Sequence, residues 1–166
     1  MNIICFHNPN EENGYLSNWY PAHFTVEGIE FSSMEQYMMY KKAILFQDQQ
    51  TAEKILGTDD VAEIKVLGRM VQHFDEKIWR EKREAIVHKG VLQKFLQNPE
   101  LAEKLVETGE QMIAECAVKD RIWGIGLSMQ DEERFCADKW KGQNLLGKIL
   151  MQVRAEISVQ NQNTEK

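Results

Sequence analysis

Cysteine is scarce in this 166-residue chain, and its three copies (Cys5, Cys116 and Cys136) are scattered. No CxxC occurs, so neither a zinc knuckle nor a disulfide framework is indicated. No apolar run approaches the ~20 residues needed to cross a bilayer. The first nine residues lack the basic stretch and apolar core of a secretory signal, and a reduced cytoplasm is the expected compartment. Walker, HExxH and GxSxG motifs are missing. Trp123-Gly124-Ile125-Gly126 contains GxG without the third glycine of a dinucleotide fingerprint. His7, His23, His73 and His88 show no metal-ligand spacing. No metal and no cofactor are therefore expected. Positive charge is also short, with 20 Lys+Arg against 26 Asp+Glu and a net charge of -6. That excludes a broad phosphate-tracking surface but leaves room for one small basic pocket.

What is present reads as a globular protein: 43% hydrophobic and 28% charged residues, at a length that fits one domain. Residues 1–160 are expected to form it, with 161–166 a flexible polar tail. Ile3-Ile4-Cys5-Phe6 predicts a short buried strand before a turn cluster. Phe24-Thr25-Val26 and Ile29-Glu30-Phe31 flank a two-residue turn, the pattern of a hairpin. Ser32 or Ser33 can cap a following helix to about Phe46, with Glu35 or Gln36 completing a capping box. Shorter helices are expected over 48–56 and 59–67. Asp75 can cap a long one to about Gln97, with Ile78, Trp79, Ile86, Leu92 and Phe95 as its apolar positions. Asn98-Pro99 opens another helix, and Gly109 is its expected stop. Leu146, Ile149, Leu150, Val153 and Ile157 mark one face of a final helix. From about Glu110 to Gly142, glycine, tryptophan and charge occur without helical periodicity, the mark of an ordered loop.

Glu35 and Lys42 are seven residues apart, two helical turns, so both face one way across about 10 Å of axial rise. A carboxylate at a helix start is kept ionised by the helix dipole, whereas burial beside aromatics pushes it toward a useful acid or base. The alternative is that Glu35 is only a capping-box member and Lys42 a solvated lysine. Trp19, Trp123 and Trp140 have Asn, Gly or Lys neighbours and can wall a base-stacking pocket or plug a small core; Trp79, inside a helix, is more often core. Lys65 and Arg69 are spaced to hold a phosphate, or to line a solvated helix face.

Leu16-Ser17-Asn18-Trp19-Tyr20-Pro21 and residues 32–43 (SSMEQYMMYKKA), taken with the pieces above, resemble the first motif and the SSEQYMMxxKA helix of the YbiA-like, or NADAR, family. Met34 departs by replacing a serine there. Lys65-Val66-Leu67-Gly68-Arg69 resembles its KxLGR segment, and Trp79 falls where the family keeps a helix tryptophan. Glu115, Asp120 and Arg121–Gly126 resemble its E…DxxWGxG block, and Trp140–Gly147 its closing WxGxNxLG signature.

The resemblance implies a mainly helical α+β single domain. Its few short strands would lie near the N-terminus and before the WGxG loop. It also implies an N-glycosidase or ADP-ribosyl glycohydrolase, with no cofactor. The substrates implied are riboflavin-pathway ribosylamino intermediates or ADP-ribosylated guanine in nucleic acid, joined through ribose C1′ to nitrogen. On that reading Glu35 is the acid/base, and Lys42 forms a Schiff base or binds phosphate. Arg69 and Lys65 hold phosphate oxygens, and Trp79, Trp123 and Trp140 stack the base. Asp120 and Asn144 hold ribose hydroxyls or a water, while Asn18, Trp19, Glu115 and Gly124 complete the substrate site. The segment Ser128–Lys139 is where substrate preference is expected. The alternative is an ADP-ribose or nucleotide-binding module without hydrolytic activity.

Overall fold

The structure, a computed structural model, describes residues 2–165. They pack as two units: Pro21–Asn98, and residues 2–20 with 99–165. Six α-helices and four short strands lie among them, the α+β class that the resemblance implied.

In the Pro21–Asn98 unit, strands β2 (Pro21–Val26) and β3 (Ile29–Ser33) form an antiparallel hairpin with Val26 opposite Ile29. Its turn puts Glu27 and Gly28 at φ 52° and 80°, the two left-handed residues of a type I′ turn that matches strand twist. Helix α1 (Met34–Leu45) follows directly, capped by Ser33. Helices α2 (Gln49–Leu56) and α3 (Val61–Arg69) are capped by Asp48 and Asp60. The second thus begins two residues after the expected Asp59, because Asp60 is its cap and accepts from the Ala62 and Glu63 amides.

Helix α4 (Glu76–Leu96) begins at its predicted cap, Asp75. Its buried stripe is Trp79, Arg83, Val87, Gly90, Val91, Lys94 and Phe95. The apolar pattern misplaced that stripe: Ile78 is 41% exposed, whereas Arg83 and Lys94 go inside. Long cationic stems can occupy a buried face that a polarity pattern assigns to solvent. The core of this unit is aromatic, with the Phe31 ring edge-on to Tyr37 at 5.1 Å and Phe24 5.8 Å from both.

In the other unit, β1 (Ile3–Phe6) pairs in parallel with β4 (Met112–Glu115), Cys5 opposite Ala114. Helix α5 (Pro99–Glu107) precedes Gly109, whose φ of 65° ends it as expected. Helix α6 (Leu145–Thr164) packs on β4 and α5 through Leu146, Ile149, Leu150, Val153 and Ile157. Arg154 pins it by donating to Thr108 Oγ1 and the Gln111 carbonyl, both at 2.8 Å. The helix runs on to Thr164, through exposed polar residues read from sequence as a tail.

Gly90 sets the closest approach of α4 to α1, since a Cβ there would lie 2.4 Å from the Tyr37 ring and 2.7 Å from Met34 Sδ. Tyr37 is fully buried and has nowhere to move. Gly90→Val should therefore cost about 1–3 kcal/mol, despite removing a helix glycine. A chemical-denaturation midpoint equal to wild type would contradict that close approach.

Candidate functional site

The candidate residues divide between the two units. In Pro21–Asn98, everything starts from the β3–α1 junction. Ser33 Oγ accepts from the Gln36 amide at 3.1 Å. Gln36 Oε1 accepts from the Ser32 amide at 2.7 Å, while Nε2 donates to the carbonyls of Ile55 and Thr58. Gln36, not Glu35, is therefore the capping partner. Glu35 is 5% exposed in the first turn of α1, which excludes a solvated capping role.

Two turns on, half-buried Lys42 donates from Nζ to the Gly68 carbonyl at 2.8 Å. The ammonium lies 4.6 Å from the Phe74 ring centre and 6.0 Å from that of Trp79, within reach of a cation–π attraction. Burial pulls the Lys42 pKa below the ordinary lysine value. Glu76 and Glu35 work against that shift, and the Arg69 charge works with it. The solvated-lysine reading is excluded. Trp79 is buried and faces this ammonium, so it is a wall of the lysine's environment. Arg69 and Lys65 are exposed one turn apart at the end of α3.

Three members of this group had no role in the sequence reading: the Gly68 carbonyl, Phe74 and Glu76. Glu76 is held by Arg80 at 3.6 Å and Arg83 at 3.9 Å. Phe74 had a legible signal. It precedes the Asp75 cap with Trp79 five residues on, the N′ and N4 positions of a hydrophobic staple.

In the other unit, the strand β4, the loop after it and the start of α6 form one hydrogen-bonded block. Asp120 Oδ1 accepts from the Ile122 and Trp123 amides at 3.0 and 2.9 Å, folding the loop back. The Ile125 amide donates to the Glu115 carbonyl at 2.8 Å. The Ile122, Trp123 and Gly124 carbonyls then receive the Leu145, Leu146 and Asn144 amides. These contacts satisfy N–H groups that a helix start otherwise leaves open. Gly142 permits the approach, since a Cβ would lie 2.3 Å from the Gly124 carbonyl oxygen.

Asn144 is buried and left-handed at φ 53°. Its Oδ1 accepts from the Glu115 amide at 3.1 Å and its Nδ2 donates to the Ile113 carbonyl at 2.9 Å. Both ends of the amide are committed to β4, making Asn144 a positioning residue. Trp123 and Trp140 are half-buried, and Trp140 Nε1 donates to the Arg134 carbonyl. That bond fixes the exposed turns Glu132–Phe135 and Ala137–Lys139, within the segment where preference was expected. Asn18 is buried, and its Oδ1 has no hydrogen-bond partner among the described residues. Trp19 beside it is half-buried, its amide donating to Ser17 Oγ.

No group of three or more His, Cys, Asp or Glu among the described residues can hold a metal ion. No described helix is long and apolar enough to cross a membrane. Asn144→Ala should cost about 2–3 kcal/mol by leaving the Glu115 amide and Ile113 carbonyl unsatisfied. Asn144→Gly should lose nearly as much, because it restores backbone freedom but not the clamp. Wild-type stability of the glycine variant in urea would show that the left-handed turn matters and the clamp does not.

Comparison with known proteins matches this arrangement to one family. The NADAR domain model matches residues 5–158, spanning both units. N-glycosidase R617 of Acanthamoeba polyphaga mimivirus is 42% identical over 161 residues, covering 92% of this chain and 95% of the viral protein. Riboflavin biosynthesis protein VVA0006 of Vibrio vulnificus is 36% identical over 93% of this chain, but over only 38% of its own length. The NMR structure of E. coli YbiA aligns with a TM-score of 0.79 at 26% identity, covering 96% of this chain and 86% of that one. The motifs, the fold and these matches agree, and the chain belongs to the NADAR-domain family.

Proposed function

We propose that this protein is a metal-independent N-glycosidase that cleaves the bond from ribose C1′ to nitrogen in ribosyl phosphates or ADP-ribose conjugates. The observation that carries the reading is the half-buried Lys42 ammonium, pinned to the Gly68 carbonyl, with Glu35 on its own helix and Arg69 beside it. The names of the relatives, N-glycosidase among them, support the bond type. The Vibrio relative's name supports riboflavin-pathway ribosylamino intermediates as one substrate class.

The chemistry follows from charge. Loss of the nitrogen leaving group builds positive charge at C1′ and the ring oxygen, which a buried carboxylate stabilises while it also takes a proton from water. Glu35 has the burial for that role. A neutral Lys42 amine can instead displace the nitrogen leaving group, which departs with a proton; cleavage of the bond from C1′ to the ring oxygen then gives an imine, and water hydrolyses it to ribose phosphate and the free lysine. Arg69 and Lys65, exposed and one turn apart, suit the phosphate. A net charge of -6 favours small ribosyl phosphates over a long nucleic acid, where binding would be confined to the modified guanine.

Glu35→Gln should lower the turnover of ribosylamino phosphates or ADP-ribosylated guanine at least ~100-fold with little change in thermal unfolding. Release of ribose phosphate at the wild-type rate would remove Glu35 from the mechanism. Turnover should survive chelation by EDTA. Sustained ADP-ribose binding in calorimetry with no product from either substrate would mark a binding module instead.

The role of Lys42 is separable by pH and trapping. As nucleophile it must be neutral. Turnover would then rise with pH through its depressed pKa, and borohydride would trap an adduct that Lys42→Ala abolishes. As a phosphate ligand it must be charged, so turnover would fall across the same window and nothing would be trapped.

A further inference from the structure

Cys5 and Cys116 take no part in that chemistry, yet they are placed together. Cys5 is the third residue of β1, opposite Ala114. Cys116 follows the last rung of the ladder, its amide donating to the Phe6 carbonyl at 2.8 Å. Side chains two apart on a strand share a face, so Cys116 lies on the face of Ala114, diagonal to Cys5. Both thiols belong to one buried cluster with Ile125 and Leu127.

The two thiols differ in access. Cys5, 6% exposed, lines an open cavity of about 620 Å³ with Asn13, Gln111, Met129, Arg134 and Phe135, whereas Cys116, 1% exposed, is not in its wall. Arg134 brings a fixed cation to Cys5. One guanidinium end donates to the Asp131 carbonyl at 2.7 Å, and Nε is buried with no hydrogen-bond partner among the described residues. Its plane covers the Phe135 ring at 4.0 Å. A cation beside a thiol favours the thiolate, the form that reacts with electrophiles.

We infer that Cys5 is a peroxide-reactive thiol opening on this cavity, and that Cys116 is the resolving thiol that closes a disulfide with it. A side-chain hydrogen bond from Cys116, then the Arg134 charge, hold the Cys5 thiol below its ordinary range against the effect of burial. Cys116 is pushed up, which keeps it protonated until called on. In the first step the Cys5 thiolate attacks one peroxide oxygen. The S–O bond forms, the O–O bond breaks and hydroxide leaves, so sulfur is oxidised by two electrons and peroxide reduced. In the second, Cys116 yields its proton and attacks the sulfenic sulfur. The S–S bond forms and the displaced oxygen leaves as water, giving one disulfide and two waters per peroxide.

With parallel strands ~4.8 Å apart and a two-residue rise of ~6.6 Å, the two Cα atoms lie about 8 Å apart, against about 4.4–6.8 Å in disulfides. Closure therefore needs a shift of about 1–2 Å. The ladder ends at Phe6–Glu115, so Cys116 can make that shift without breaking an interior rung.

The test is peptide mapping of the full-length wild-type protein, reduced, exposed to hydrogen peroxide and then alkylated. The expected result is a linked pair of peptides carrying Cys5 and Cys116, lost on treatment with dithiothreitol. It should form equally in Cys136→Ser, whose exposed thiol is removed. In Cys116→Ser a dimedone adduct should accumulate on Cys5. Oxidation confined to Cys136, or only intermolecular disulfides on a non-reducing gel, would overturn the proposal. The wild-type map decides the matter even if a variant fails to fold.

Discussion

Gln36 uses its side-chain amide at both ends, and the placement of α1 depends on it. Oε1 holds the end of β3 through Ser32, while Nε2 holds the end of α2 through Ile55 and Thr58. Ser33 completes the cap from the other side. A buried amide with good partners fixes position more tightly than apolar contact does, because each bond has a direction and an unmade one is costly. The helix so fixed carries Glu35 inward in its first turn and Lys42 two turns later. The Gly68 carbonyl then meets Lys42 from α3, and Phe74 and Trp79 meet it around the start of α4.

Lys94 and Lys42 in this unit differ in access, and the contrast bears on the proposed role of Lys42. Lys94 is fully buried in α4, and burial lowers its pKa to about 7. Lys42 is only half-buried and keeps carboxylates near it, so its charge is less strongly disfavoured. An amine that reacts with a diffusing substrate needs desolvation enough to be neutral part of the time and exposure enough to be reached. Lys42 is half-buried, burial lowers its pKa while Glu76 and Glu35 oppose the shift, and the proposed role rests on that balance.

The other unit solves a different problem, that of holding a glycine-rich loop without regular structure. It does so with backbone hydrogen bonds from Ile122, Trp123 and Gly124 into the start of α6, locked by Asn144 against β4. The family resemblance implies Asp120 and Asn144 as groups for ribose hydroxyls or a water. Asn144 is consumed by the scaffold, and Asp120 has one oxygen committed to it. Polar side chains in loop motifs are ambiguous in this way, because the same Asn or Asp chemistry that binds a hydroxyl also folds a turn.

Caps, turn residues and apolar spacing place the six α-helices to within a few residues, along with the hairpin and the first strand, because those signals act over a few residues. Where they erred, the missing information was tertiary. Arg83 and Lys94 replaced Ile78 on the buried face of α4 because packing, not polarity, chose that face. The motif order determined the family. Whether Glu35 was a cap or an inward carboxylate, and Lys42 solvated or pinned, was undecided until α2, α3 and α4 were in place. The reason is that burial and charge environment are sums over elements far apart in the chain. The partnership of Cys5 with Cys116 belongs to the same class: more than a hundred residues separate them, and only the β1–β4 pairing brings them together.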